Sequence, residues 1–147
     1  MTDQQLSAQK YLGRLHRLEE LLASNLDELE KLGEISTSIS SPKWTETKVM
    51  GTHTNEPRFA SVLVRITDLE KEVEADIAKM IDLRAEIRDI INRMPNVKAI
   101  LVLKYRYIEF LKWEEIAQRM NLPLNQIHNI HRNALLRVGS MMEGKAA

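Results

Sequence analysis

Residues 113–135 read WEEIAQRMNLPLNQIHNIHRNAL, and their pattern decides the fold of the C-terminal third. Glu114 and Glu115 occupy a first helical turn, where carboxylates favour the positive end of the helix dipole. Ile116, Ala117 and Met120 give this helix an apolar stripe, and Asn121 stops it. Pro123 suits the start of a second helix, since its missing N–H would be unpaired there anyway. Along that helix Ile127, Ile130, Ala134, Leu135 and Val138 fall at inward spacings, leaving Asn125, Gln126, His128, Asn129, Arg132 and Asn133 outward by elimination. Asn and Gln match an adenine edge and Arg a guanine edge, so the outward row has the donors and acceptors that reading the major groove requires. A solvated polar face on a plain helical pair fits the same pattern.

Upstream, Met94-Pro95-Asn96 marks a boundary, because proline disfavours helical geometry in the residue before it. A helix over about Val97–Phe110 follows, with Ile100, Leu101, Leu103, Tyr107 and Ile108 apolar and Lys98, Lys104 and Arg106 between them. Residues 1–95 carry two heptad-spaced segments. In the first, Tyr11, Leu15, Leu18, Leu22, Leu29 and Leu32 alternate steps of three and four around Asn25. In the second, Phe59, Val62, Ile66, Leu69, Val73, Met80, Leu83, Ile87, Ile90 and Met94 do so around Asp76. Each predicts a long helix, roughly 45 Å at about 1.5 Å per residue. Leu12, Leu26, Ile35, Leu63, Ile77 and Ile91 flank the seams and widen the apolar faces enough to take a third helix or a second copy of the chain.

An antiparallel pairing of the two helices satisfies every layer in one register: Leu32 against Ile66, Leu29 against Leu69, Leu22 against Asp76, Leu18 against Met80, Leu15 against Leu83. Asn25 and Asp76 then lie in adjacent layers. Either they are buried and specify the alignment, as polar seam residues do at a cost in stability, or they face solvent where the seam drifts. Between the helices, about residues 36–58 lack periodicity and hold Ser, Thr, Gly and Pro, which predicts a long loop. Trp44 is its one large apolar group, a candidate anchor onto the hairpin.

The chain has equal numbers of acidic and basic residues, 21 of each, but they are unevenly placed. Residues 1–95 hold 13 Lys and Arg against 17 Asp and Glu, and residues 96–147 hold 8 against 4, so a polyanion would meet the C-terminal third first. The chain has no cysteine, which excludes disulfides, thiolate catalysis and cysteine-bound zinc. MTDQQLSAQK lacks the order of a signal peptide, and the longest apolar runs are far short of a membrane span. A soluble, cytoplasmic setting is expected. His128 and His131 share a helix face at a spacing open to metal, but no third ligand is near in sequence. The acidic residues of 68–89 alternate with Lys and Arg, as on a solvated helix, and no glycine loop cradles phosphate. Neither a cofactor, a metal nor an enzymatic activity is expected.

LVLKYRYIEFLKWEEIAQRMNLPLNQIHNIHRNALLRV, residues 101–138, resembles region 4 of the sigma-70 family. KYLGRLHRLEELLASNLDELEKL, the ISSP after it and DLEKEVEADIAKMIDLRAEIRDII extend the resemblance to small phage-encoded regulators of late operons, of the ArpU and RinA type. This implies an all-α protein: a long antiparallel, coiled-coil-like helical hairpin over 1–95, a three-helix sigma-region-4-like helix-turn-helix over 96–140, and a tail over 141–147. It also implies a sequence-specific transcriptional regulator that binds double-stranded DNA, with the recognition helix at about 124–138. By resemblance Leu124, Asn125, Gln126, His128 and Asn129 touch bases, and Arg132 joins them by its outward position. Lys104, Arg106, Lys112, Arg119 and Arg137 are the candidate phosphate contacts.

Departures from the family temper the expected affinity. Family members carry Arg or Glu at several base-reading positions where this chain has Leu, Asn, Gln, His and Asn. Lys112 stands where the family places a capping Ser or Thr, a loss of about 1 kcal/mol. A charge-poor recognition helix gains from dimerisation through the hairpin, by effective concentration. In the competing reading the same module is an adaptor for RNA polymerase or another phage protein.

Overall fold

A computed structural model of the chain describes residues 1–39 and 52–146, and Trp44 with its expected anchoring role lies outside the described residues. The described residues are all-helical, with no strand among them: α1 (Asp3–Leu12), α2 (Arg14–Ile39), α3 (Thr52–Asn92), α4 (Val97–Tyr107), α5 (Trp113–Met120) and α6 (Leu124–Ala146). No helix among these residues is long and apolar enough to cross a membrane.

Several boundaries differ from the sequence expectation. The first long helix is broken at Gly13, so Tyr11 and Leu12 close α1 and the seam continues in α2. The loop expected over 36–58 is shorter, since helix covers 36–39 and 52–58. Ser and Thr are weak helix formers but not breakers, and Pro57 lies near the start of α3, where a missing N–H disturbs the fewest turns. The expected tail over 141–147 is helical through Ala146, because Met141 and Met142 pack on the core and prolong the apolar face of α6.

Two compact units result. The first joins Met1–Glu19 to Met80–Ala147, and the second is Glu20–Lys79. Pro95 therefore interrupts a helix without dividing the packing, contrary to the boundary expected at 95. In the first unit Ala8, Leu12, Leu15, Ile87, Ile91, Leu103, Leu135 and Val138 form the core. α1 starts with a capping box, in which Thr2 and Gln5 satisfy each other's backbone N–H groups. It then lies along α6: the Gln5 amide donates to the Arg132 carbonyl at 2.9 Å. A Cβ on Gly139 would stand 2.8 Å from the Gln4 carbonyl oxygen, so only glycine admits this approach.

In the second unit, Leu69 and Val73 are buried, and Leu22, Leu29, Leu32, Val62 and Ile66 are half-buried. Asn25 and Asp76 are buried, and the Asn25 Nδ2 donates to Asp76 Oδ2 at 2.9 Å. The pair thus satisfies itself in an apolar setting. Of the flanking apolar residues, Leu12 and Ile91 are buried in the first unit, while Leu26, Ile35, Leu63 and Ile77 are exposed in the second.

Candidate nucleic-acid interface

The site begins with what holds α5 and α6 in place. Val102 of α4, Ile116 of α5 and Ile127 of α6 are fully buried against one another, ringed by Tyr105, Leu111, Trp113, Ala117, Met120, Leu122 and Ile130. Lys112 precedes α5 and makes no capping bond with its side chain, as its chemistry dictates. Asn121 ends α5 in the left-handed conformation, with φ 54° and ψ 44°, a region that Asn tolerates better than most residues. The Leu122 N–H donates to the Ala117 carbonyl at 3.1 Å, and the Pro123 carbonyl accepts from Gln126 and Ile127 at 3.0 and 3.1 Å. Three residues therefore turn the chain while leaving few backbone groups unpaired.

The front of α6 presents Leu124, Asn125, Gln126, Asn129 and Arg132 to solvent. Arg132 donates to the Asn129 side-chain carbonyl. His128 differs from the rest of the row: it is half-buried, its ring tilted 5.0 Å from that of Trp113. Behind it His131 is buried, its ring edge-on to Trp113 at 4.6 Å. Tyr107 and His131 share a hydrogen bond of 2.6 Å between Oη and Nε2. Burial pushes Tyr107 up to about 12, against the pull of Arg106 and Gln9, so it keeps its proton. Burial, helped by Arg106, His128 and Arg132, pushes His131 down to about 4, so the imidazole is neutral. The bond therefore joins two neutral groups, and the imidazole tautomer sets which of them donates. That nitrogen is engaged, and no cluster of three or more metal-ligating side chains occurs among the described residues.

The candidate phosphate cations divide into two groups. Arg106 lies 4.4 Å over the Trp113 ring and donates to the Leu111 carbonyl at 3.0 Å, which ties down the turn between α4 and α5. Arg119 is 3.7 Å from Glu109 and 5.6 Å from the centre of the Tyr105 ring. Arg106 is thus half-buried and engaged within the unit, whereas Arg119 stays exposed beside its Glu109 partner. A sequence shows the charge but not the neighbours that absorb it. Lys104, Lys112 and Arg137 make no ion pair among the described residues, and Lys112 and Arg137 are exposed.

Sequence reasoning missed two supports. Gln5 braces the middle of α6, a role whose only signal was the Thr2–Gln5 capping-box spacing. Lys98 and Asn133 line a channel with Gln126 and Arg137, though they sit on separate helices. The first unit holds 14 Lys and Arg against 9 Asp and Glu, and the second 7 against 12, so the α6 surface belongs to the cationic unit.

Residues 38–139 match the family described as protein of unknown function (DUF1492). The match spans more than half of the chain, which belongs to that family. No curated protein and no solved structure matches the chain.

Proposed function

We propose that this member of the DUF1492 family is a sequence-specific DNA-binding transcriptional regulator, phage-encoded and acting in the host cytoplasm. In this reading α4, α5 and α6 form a sigma-70 region 4-like helix-turn-helix, and residues 124–138 enter the major groove. The observation that carries it is the exposed row of Asn125, Gln126, Asn129 and Arg132 on α6, held from behind by the buried Val102, Ile116 and Ile127. Hydrogen-bonding side chains on a rigid helix front suit base reading. The resemblance of residues 101–138 to sigma region 4 and the surplus of cations in the same unit support it.

α2 and α3 pair as an antiparallel hairpin in this reading. A contact within each unit supports the pairing: Arg14 with Glu86 at 3.7 Å in the first and Asn25 with Asp76 at 2.9 Å in the second. The exposed Leu26, Ile35, Leu63 and Ile77 offer a face for a second copy of the chain. Two weak recognition helices then act together.

The engagement of Arg106 and Arg119 favours a second reading, in which the module is an adaptor for RNA polymerase or another phage protein and DNA contact is incidental. Gln126→Ala with Asn129→Ala, set against Leu63→Glu with Ile77→Glu, separates the two in a promoter-binding and activation assay. The DNA-binding reading requires the first pair to abolish promoter binding. Loss of activation by the second pair alone would establish the adaptor.

A further inference from the structure

We infer that the channel between the α3–α4 turn and residues 126–137 of α6 holds a DNA backbone strand, with Lys98, Asn133 and Arg137 as phosphate contacts beside the base-reading Gln126. This rests on the DNA-binding reading and extends its interface to a second helix. The channel encloses about 380 Å³. Its floor is apolar, from Met94, Ala99, Ile130 and Ala134, and its rim is polar, from Lys98, Gln126, Asn133 and Arg137. Apolar floor and cationic rim match the two faces of a sugar–phosphate strand: deoxyribose carbons below, phosphate oxygens above.

Three observations favour this occupant. First, Lys98 and Arg137 come from different helices to the same channel, and neither makes an ion pair among the described residues. Second, Lys98 stands in the first turn of α4, which has no acidic residue, where a cation opposes the helix dipole. A phosphate in the channel turns that unfavourable placement into an attraction. Third, the positions fit a helix that enters the groove by its N-terminus. Arg137 lies eleven residues after Gln126, ~16 Å along the axis at about 1.5 Å per residue, whereas the major groove is about 12 Å wide. When Gln126 is on a base edge, Arg137 is carried to the groove wall, where the strand runs.

The test measures affinity for a set of duplexes of different sequence by fluorescence anisotropy across a salt series, for the full chain, Lys98→Gln, Arg137→Gln, Gln126→Ala and, as a charge-matched control away from the channel, Arg88→Gln. Each channel substitution is expected to lower the slope of log affinity against log salt by about 0.9, the release belonging to one phosphate, and to weaken all sequences alike. Arg88→Gln leaves the slope at the wild-type value, and Gln126→Ala reduces discrimination between sequences without changing it. Circular dichroism confirms that each exposed-residue variant is folded. Wild-type slopes in both channel variants, with DNA binding intact, overturn this inference and leave the DNA-binding reading standing. No binding of the wild-type chain to any duplex overturns both.

Discussion

Acidification is expected to loosen the first unit through His131. In the folded chain burial pushes this imidazole from 6.5 down to about 4, and its Nε2 shares a hydrogen bond of 2.6 Å with the Tyr107 hydroxyl. The unfolded chain takes up the proton near 6.5, while the folded one resists it. The contribution of neutral His131 is therefore complete above pH 6.5 and is lost as the pH falls from there to about 4, some 3 kcal/mol in all. Between about pH 7 and about pH 5 the loss is ~2 kcal/mol.

Urea denaturation followed at Trp113, whose ring meets His131 edge-on, reads this directly once Trp44 is changed to Phe. His131→Gln removes the titration while keeping a side chain able to accept a hydrogen bond. Wild type is expected to lose ~2 kcal/mol more than His131→Gln over that pH interval. Tyr107→Phe leaves the buried Nε2 without its hydrogen-bond partner and costs about 1–3 kcal/mol at neutral pH. Equal pH dependence in wild type and His131→Gln would refute the argument, because the buried, neutral imidazole would then contribute nothing through its protonation.

Two further outcomes rest on packing. Gly139→Ala pushes a methyl group to 2.8 Å from the Gln4 carbonyl and is expected to cost about 1–3 kcal/mol in thermal denaturation, whereas Gly33→Ala, with open space around it, gains about 0.5–1 kcal/mol by helix propensity. A destabilising Gly33→Ala or a neutral Gly139→Ala contradicts the packing described. Replacing Asn25 and Asp76 together by Leu raises the melting temperature and broadens the distribution of oligomers seen by light scattering, while Asp76→Ala alone strands the buried Asn25 amide at about 1–3 kcal/mol; an unchanged melting temperature and a single unchanged oligomer in the double variant would remove the pair from any role in alignment.

Much of the local structure is legible because it depends on neighbours in sequence. Asn121 and Pro123 place the turn, since left-handed geometry and a missing N–H are properties of single residues. Ile116, Ile127, Leu135 and Val138 point inward by helical spacing alone. The proximity of Asn25 and Asp76 follows from matching two apolar periods. What is hidden depends on partners distant in sequence: Gln5 meets Arg132 across 127 residues, and a glycine at 139 gives no sign of the backbone that comes close to it. Arg106 and Arg119 read as free charges because nothing in a one-dimensional pattern shows a Trp113 ring or a Glu109 carboxylate beside them. His128 fits an outward position on a helical wheel, yet Trp113 covers part of it.

Whether the front of α6 reads DNA is decided by footprinting on the DNA flanking the chain's own gene. The experiment compares wild type with the Gln126→Ala, Asn129→Ala variant at low and at physiological salt. Wild type is expected to give a discrete protected site, weakened steeply by salt, that is lost in the variant. No protected site, protection that ignores salt, or a footprint unchanged in the variant would contradict it.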